Sequence, residues 1–328
     1  MKESLTPIKI FKDFLAGDLG RENAVELFIS LIESSNNTEI RVTSTNMLHK
    51  LKFQNEKIYK ILENCLISDE NAVVRASAAN YIIHNFSENG LSALKWVIQH
   101  EKSPLVLKTF FDSIETFKNP QLQQIRKDLL NWNKDYAVKI GVVPQESKFF
   151  LDLEALFAKS KINNEIEPKF FENFKKLSNI KNGEPWLVIN KQHVEILNFN
   201  YFSWNWVKEN LDIVDSLYNF KYLDVYFNSL IKYNIFTSNC FIIPNSIGRL
   251  KYLRKLILRC NLLKKIPNSI RYLISLKELD LSFNEFVEIP QIISKLKSLK
   301  KLNMKGNKLQ EIPNSFKSFF NSLKDFKY

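Results

Sequence analysis

LRKLILRCN at residues 253–261 recurs as LKELDLSFN at 276–284 and again as LKKLNMKGN at 299–307. The copies are evenly spaced, and each one continues into an Ile-Pro pair and then into apolar residues at fixed offsets. A pattern that repeats in register at a constant period is typical of a solenoid, in which every coil follows the same path. This repeat decides the fold of the C-terminal part of the chain.

The spacing within each copy predicts a short strand followed by a turn. In Leu-x-x-Leu-x-Leu the last two apolar residues are two positions apart, so both side chains point to one face of the strand. The Asn that ends each copy can hydrogen-bond the turning backbone of its own and adjacent coils. The following proline lacks a backbone donor and belongs outside the strand. The predicted ladder of stacked amides consists of Asn228, Asn261, Asn284 and Asn307.

The pattern resembles the leucine-rich repeat, in the 23-residue form found in intracellular Ras-suppressor-like proteins. The resemblance implies an α/β solenoid with a short parallel sheet, because one coil cannot bury its own apolar face and stacked coils can. It also implies small GTPases and phosphatase subunits as partner classes, of which the sequence itself singles out neither.

The repeat extends towards the N-terminus in a less regular form. Residues 220–230 form an earlier unit, but its Ile243-Pro244 pair comes later than in the regular copies. This delay predicts an inserted loop at about 233–242. Before that unit, Trp186–Ile189 and His193–Phe199 predict a β-hairpin that opens the sheet.

At the other end of the chain, residues 322–328 echo residues 275–281. They predict a sixth strand, whose charged residues would discourage pairing at the edge of the sheet.

A second repeat lies in the N-terminal part, where apolar residues at i, i+3 and i+4 predict helices from residue 7 to about 133. Asp69–Ala79 resembles the inner-helix signature of HEAT repeats. Thr38–Thr45 matches it one period earlier, and Ser103–Lys108 matches it one period later. The resemblance and the period imply an α-solenoid.

The predicted fold class is therefore an α+β multidomain protein, with a HEAT-like α-solenoid followed by a leucine-rich repeat solenoid. We expect HEAT-like helical repeats at 1–133, a helical connector at 134–182 and the leucine-rich repeat domain at 183–328. A chain of 328 residues is long enough to bury more than one core.

Composition favours a reducing cytoplasm. No run of about 18 apolar residues predicts a membrane span, and residues 1–15 lack the core of a signal peptide. The three cysteines, Cys65, Cys240 and Cys260, share no metal-ligand spacing, and no cysteine-rich caps flank the repeats.

The net charge of +12 lies in the C-terminal part of the chain. Residues 245–328 hold 18 Lys and Arg against 6 Asp and Glu, which leaves 29 groups of each sign in the rest. Two interpretations stay open: a docking face for an acidic protein, an anionic membrane surface or nucleic acid, or a solvated exterior without further role.

Nothing in the sequence predicts catalysis, a cofactor or a metal site. The seven glycines form no phosphate-cradling loop. The four histidines, His49, His84, His100 and His193, have no Cys or carboxylate at ligand spacing. His49 and His84 occupy matching places in successive helical repeats, so a structural repeat position is favoured over a metal site.

The strand residues between the inward leucines should face the concave side, because neighbours in a strand alternate. Tyr222, Tyr226, Ile257 and Arg259 form the predicted core of a partner-binding patch, since Tyr and Arg are typical of binding hot spots. Alternatively, Lys255, Glu278 and Lys301 satisfy one another across the strands. In the predicted order of the parallel strands, the full set is Tyr222, Asp224 and Tyr226 on one strand, and then Lys255, Ile257, Arg259, Glu278, Asp280, Ser282, Lys301, Asn303 and Lys305 on the following ones.

These patterns predict a non-enzymatic interaction scaffold that binds a protein through the concave face of the leucine-rich repeats, and through the HEAT-like surface as a second candidate. The alternative hypothesis is an electrostatic binder of RNA or of an anionic membrane surface through the basic C-terminal half. Their salt dependence separates the two, because phosphate binding weakens steeply with salt.

Overall fold

In a computed structural model of the chain, the described residues are 5–116, 119–159, 187–198, 243–261, 263–311 and 313–328. The chain divides into two compact units, Met1–Trp132 and Asn133–Tyr328. The first unit is helical, and the second contains a sheet.

The helices of the first unit begin where the sequence supplies caps. Asn37, Asn55 and Asn71 each precede a helix, and each side-chain carbonyl accepts a hydrogen bond from a backbone N–H of the first turn. The helices are α1 (Pro7–Ala16), α2 (Arg21–Ser34), α3 (Thr38–Lys50), α4 (Glu56–Ser68), α5 (Ala72–Asn85), α6 (Leu91–His100), α7 (Pro104–Thr116) and α8 (Gln123–Ile140), the last of which crosses the boundary between the units.

Two rows of helices stack in the first unit. The helices that contain the three segments of matching sequence, α3, α5 and α7, pack against one another in order, and α2, α4 and α6 form the neighbouring row. Small residues let α5 approach its neighbours closely, since Ala76, Ala78 and Ala79 are all buried. The largest fully buried side chain of this core is Tyr81, whose hydroxyl donates to backbone carbonyls of the preceding repeat.

Half-buried ion pairs join successive matching segments. Arg41 pairs with Asp69, and at the matching place of the next repeat Arg75 holds Glu101 with two hydrogen bonds of 2.8 and 3.0 Å. Both acids also accept backbone N–H groups ahead of the next helix. Each pair therefore ties one helix to the turn that starts the next repeat.

The second unit contains the last part of α8, the helix α9 (Pro144–Lys159) and a six-stranded sheet in sequential order. The first two strands form the antiparallel hairpin that the sequence predicted, and all later pairs are parallel. The strands are β1 (Leu187–Asn190), β2 (His193–Asn198), β3 (Lys255–Ile257), β4 (Glu278–Asp280), β5 (Lys301–Asn303) and β6 (Asp325–Lys327). Trp186 and Phe199, at the ends of the predicted hairpin, lie outside the described residues.

Each proline of the Ile-Pro pairs starts a 3₁₀ turn on the return path, as its fixed φ allows. Buried leucines and isoleucines, among them Leu256, Leu258, Leu279 and Leu281, fill the space between the strands and these turns. The turns are Asn245–Arg249, Asn268–Tyr272, Gln291–Lys295 and Asn314–Phe316, and the last continues into α10 (Lys317–Ser322).

The strand order differs from the sequence prediction at one place. Residues 222–226 were expected beside β3, but β2 pairs directly with β3, with Ile196 opposite Lys255 and Asn198 opposite Ile257. The edge of β3 is thus already hydrogen-bonded by the hairpin. Residues 222–226 and the predicted loop at 233–242 lie outside the described residues.

Helix α9 packs against the first coil of the sheet through polar side chains that are buried. The carboxylate of Glu146 accepts the backbone N–H of Val194 at 2.9 Å and lies 3.0 Å from His193 Nδ1. Asp152 accepts the hydroxyl of Ser246 at 2.5 Å and pairs with Lys148. The second unit therefore includes at least residues 144–159 of the segment that was predicted as a connector.

Candidate functional site

The ends of the strands are fixed by amides that bond two coils at once. Asn284 Oδ1 accepts the backbone N–H groups of Asn261 and Leu263, each at 2.9 Å. Its Nδ2 donates to Leu258 O of the preceding coil and to Leu281 O of its own coil. This arrangement sets where each strand stops and where its neighbours lie.

The other amides of the ladder make similar bonds. Asn307 Oδ1 accepts the backbone N–H of Phe286, and its Nδ2 donates to Leu281 O at 2.9 Å and Met304 O at 2.7 Å. Asn261 is buried and donates to Arg259 O at 3.1 Å. Asn228 lies outside the described residues.

The sheet brings the predicted concave residues together in rows. In the first row Lys255 lies opposite Glu278, which lies opposite Lys301. Glu278 bridges the two lysines, at 3.8 Å from Lys255 Nζ and 2.8 Å from Lys301 Nζ. The hydrogen bond and the negative charge of Glu278 raise the pKa of Lys301. Much of the charge in this row is thus satisfied within the sheet.

The second row consists of Ile257, Asp280 and Asn303. Ile257 was expected to be exposed to a partner, but it is 7% exposed because it lies between Asn198 of β2 and Asp280 of β4. Asp280 accepts hydrogen bonds from the backbone and hydroxyl of Ser282 and from Asn303 Nδ2 at 3.2 Å. The row is a structural network in which Ser282 is fully buried.

An exposed aromatic stack lies just beyond the strands. The residue before each of the three described ladder Asn residues adopts a positive φ, +60° at Cys260, +54° at Phe283 and +73° at Gly306. This turn lays the ring of Phe283 across Gly306, where an added Cβ would lie 2.6 Å from a ring carbon. The guanidinium Cζ of Arg259 lies 4.7 Å from the centroid of the same ring. We call Arg259 and Phe283 the Arg–Phe stack.

The Arg–Phe stack is accessible, since Phe283 is 43% exposed. Lys305 of the next coil is exposed beside it and occupies the position that Arg259 has in its own coil. Arg259 and Lys305 belong to the set predicted from the sequence, whereas Phe283 does not. The sequence does contain a sign of its role, because Phe283 is aromatic at a repeat position where the other copies have Cys and Gly.

Residues 251–309 match the family model of the leucine rich repeat. The matched segment contains β3, β4 and β5 together with the Arg–Phe stack. A comparison with curated proteins found no match to the chain.

Three predicted members of the binding patch, Tyr222, Asp224 and Tyr226, lie outside the described residues. In the described part of the leucine-rich repeats, the candidate site is therefore formed by the Arg–Phe stack, Lys305 and the paired charges of the first row.

The two histidines at matching repeat positions meet in the first unit. The rings of His49 and His84 are 5.5 Å apart at nearly a right angle, and His49 Nδ1 lies 3.2 Å from the amide of Asn85. Burial, followed by the positive charge of nearby His84 and Lys52, lowers the pKa of His49. Across the described residues, no group of three or more His, Cys, Asp or Glu is arranged to hold a metal ion.

A polar groove of about 670 Å³ lies along the turns of the first unit. Amide and hydroxyl groups dominate its wall, and several already bond one another, such as Asn119 Nδ2 to Ser87 Oγ at 2.7 Å. In the parts of the chain that the structure describes, no helix is both long and apolar enough to cross a membrane.

Proposed function

We propose that this chain is a non-enzymatic interaction scaffold that binds a protein partner through the concave face of its leucine-rich repeats, centred on the Arg–Phe stack. The observation that carries the proposal is this exposed stack, in which Arg259 lies over a ring that is 43% exposed. Leucine-rich repeats in general serve as protein-interaction modules, which supports this class of function.

The geometry of the stack favours its use as a binding anchor. Binding energy concentrates in a few aromatic and Arg residues that are rigid before the partner arrives. Phe283 is held by the ring contact with Gly306 and by the guanidinium of Arg259. The partner segment that fits this site carries an apolar side chain for the ring and a carboxylate for Arg259 and Lys305.

The first row, Lys255, Glu278 and Lys301, contributes more to the orientation of the partner than to its affinity. Because Glu278 already bridges Lys255 and Lys301, a partner that breaks these pairs gains little net energy. A partner that places one more carboxylate beside Lys301, which is exposed, adds to the network without breaking it. The paired row therefore selects the register of the partner segment along the sheet.

We propose that the first unit is a HEAT-like α-solenoid with a second binding surface. Support comes from the ordered packing of α3, α5 and α7 and from the ion pairs Arg41–Asp69 and Arg75–Glu101, whose arginines occupy matching places in successive repeats. Solenoids present extended surfaces on a rigid scaffold.

The resemblance to Ras-suppressor-like proteins favours a small GTPase or a phosphatase subunit as the partner. Cysteine usage favours a cytoplasmic location, and the sequence patterns favour a division into segments 1–133, 134–182 and 183–328. Small GTPases and phosphatase subunits are accordingly the first purified proteins to test.

The experiment compares two Arg–aromatic pairs of the same unit. The double variant Arg259→Ala, Phe283→Ala removes the Arg–Phe stack. The double variant Arg271→Ala, Tyr272→Ala removes a similar pair in the turn Asn268–Tyr272, where Arg271 Cζ lies 5.0 Å from the centroid of the Tyr272 ring. Both variants lose one charge and one ring. We expect proteins captured by the full chain to be lost with the first variant, by at least about tenfold for loss of a hot spot, and retained by the second.

The proposal is contradicted if both variants capture the same proteins as the unchanged chain and circular dichroism shows that both variants are folded. That result would move the binding site away from the concave face, and the HEAT-like surface would be the next to test.

A further inference from the structure

The charges of the leucine-rich repeats are segregated by their position in the coil. We define the return segments as the stretches from the proline of each Ile-Pro pair to the residue before the next strand: 244–254, 267–277, 290–300 and 313–324. They contain ten Lys and Arg and no Asp or Glu, and all ten basic side chains are exposed. The ten are Arg249, Lys251, Arg254, Arg271, Lys277, Lys295, Lys297, Lys300, Lys317 and Lys324.

The rest of each coil has a different balance. Of the 18 basic and 6 acidic residues in 245–328, the strands and the turns after them keep 8 basic residues and all 6 acidic ones. The excess of positive charge is thus +10 on the return segments and +2 elsewhere. A general preference of the chain for Lys explains a basic surface, but it does not explain why acids avoid one side of every coil.

Four of these cations form a column. Lys277 N donates to Arg254 O at 2.8 Å, Lys300 N to Lys277 O at 2.8 Å and Lys324 N to Lys300 O at 2.7 Å. Residues joined in this way lie about 4.8 Å apart, as neighbouring strands do. In the described residues, the column has one carboxylate partner, Glu195, at 3.5 Å from Arg254.

Such a column is costly for the folded chain on its own. Like charges at neighbouring positions of adjacent strands destabilise a sheet, and an acid at one of these exposed positions would relieve the repulsion. An external polyanion relieves it as well. The absence of acids from the described return segments is therefore the pattern expected of a binding face for negative charge.

Exposed apolar side chains are interleaved with the cations. Ile274 is 65% exposed and occupies the position that Lys251 and Lys297 have in the neighbouring coils. Tyr272 is 50% exposed at the position of Arg249 and Lys295. Lysines with an exposed Ile and Tyr among them are the composition of surfaces that lie at a lipid headgroup layer.

We propose that the return segments bind the surface of an anionic lipid membrane, with the basic column against the headgroups and Ile274 and Tyr272 at the headgroup level. The ten basic side chains of these segments, together with Ile274 and Tyr272, are all exposed, so they are accessible to a lipid surface. A single nucleic-acid strand is more often held in a groove with stacking rings. Seven of the ten cations are Lys, which binds phosphate as a point charge and not as the bidentate fork of Arg.

This inference is independent of the proposed protein-binding function. The return segments end before the strands begin, and Arg259 and Phe283 follow the strands, so the two sites share no residue. Each can therefore fail without the other. A chain that uses both would hold its protein partner at a membrane surface.

The experiment measures co-sedimentation of the full chain with vesicles. Vesicles of pure phosphatidylcholine are compared with vesicles that contain about one third phosphatidylserine, at low and physiological salt. We expect binding to the anionic vesicles only, and weaker binding as salt rises, because the charges are exposed and screened.

Two triple variants test the face itself. Lys277→Gln, Lys300→Gln and Lys324→Gln remove three charges from the column, and Lys264→Gln, Lys265→Gln and Lys308→Gln remove three from the other side of the coils. Each Lys near an anionic surface contributes about a factor of five in binding. The column variant should therefore bind roughly 100-fold more weakly, while the control should bind within a fewfold of the unchanged chain.

A third variant, Ile274→Ser, keeps the charge and should weaken vesicle binding severalfold through lost insertion. Equal losses in the two triple variants, or equal binding to neutral and anionic vesicles, would overturn the proposal. The proposal would also be overturned if the chain did not bind vesicles but bound single-stranded RNA, duplex DNA or an acidic peptide through the same three lysines.

Discussion

At the scale of single residues, the coil depends on side chains that satisfy backbone groups of two repeats. Asn284 is buried and uses both atoms of its amide: the oxygen accepts two N–H groups of the preceding coil, and the nitrogen donates to a carbonyl of that coil and a carbonyl of its own. Asn303 is half-buried and donates to the carboxylate of Asp280 at 3.2 Å. The two amides in adjacent coils therefore provide a matched comparison of a buried amide and a surface amide.

Asn284→Ala should lower the free energy of unfolding by about 1–3 kcal/mol, because the N–H groups of Asn261 and Leu263 and the carbonyls of Leu258 and Leu281 lose a buried partner. The matched change Asn303→Ala should cost less than about 1 kcal/mol. Urea denaturation of both variants checks the difference. Equal costs would show that the backbone of this turn is satisfied without the amide.

At the scale of elements, α9 closes the first coil of the sheet with charged side chains that are buried. Glu146 is 2% exposed, and burial raises the pKa of its carboxyl. The hydrogen bonds from Val194 and His193 act in the opposite direction and are the smaller effect. A carboxyl with a raised pKa favours its protonated form in the folded state, so it contributes stability at low pH that is lost as pH rises through that pKa.

The unfolding free energy of the second unit should therefore contain a part that falls as pH rises above about 4.3, the ordinary pKa of Glu. Glu146→Gln keeps an oxygen to accept the N–H of Val194 and removes the titration. The variant should lose this falling part of the profile and gain stability at neutral pH relative to the unchanged chain. Denaturant titrations from pH 4 to 7 check it, and parallel profiles for the two proteins would contradict it.

The elements show which parts of the structure can be predicted from sequence. The strands β3, β4 and β5 could be predicted from the even spacing of the copies, because residues at the same repeat position have the same surroundings in every coil. The position beside β3 was assigned wrongly, since the spacing of the copies does not reveal that β2 pairs directly with β3. The contact of α9 was missed because Glu146 and Asp152 look like solvated residues in a sequence.

The candidate site was predicted in part for a similar reason. Arg259 was identified from its position beside the inward leucines. Phe283 was missed because the stack forms between residues of two successive coils and depends on the small Gly306 a coil further on. Exposure was also misjudged for Ile257 and Ser282, since alternation assigns a face but does not reveal how neighbouring side chains cover it.

At the scale of the whole molecule, the chain consists of two compact units, each with its own buried core. Ile82 is fully buried in the first unit, and Leu279 is 2% exposed in the second. A chain with two separate cores need not unfold in one cooperative step. Substitutions in the two cores therefore report on different units.

We expect thermal unfolding of the full chain to show two transitions, one for each unit. Ile82→Ala and Leu279→Ala each remove buried methyl groups and leave a cavity, which costs about 2–5 kcal/mol. Each change should lower one transition by several degrees and leave the other in place, because the stability of a unit depends on its own core. The double variant should show both shifts at once, since distant sites are additive. Calorimetry measures these shifts directly. A single transition that both substitutions lower to the same extent would mean that the chain unfolds as one cooperative body, and the two units would then stabilise each other.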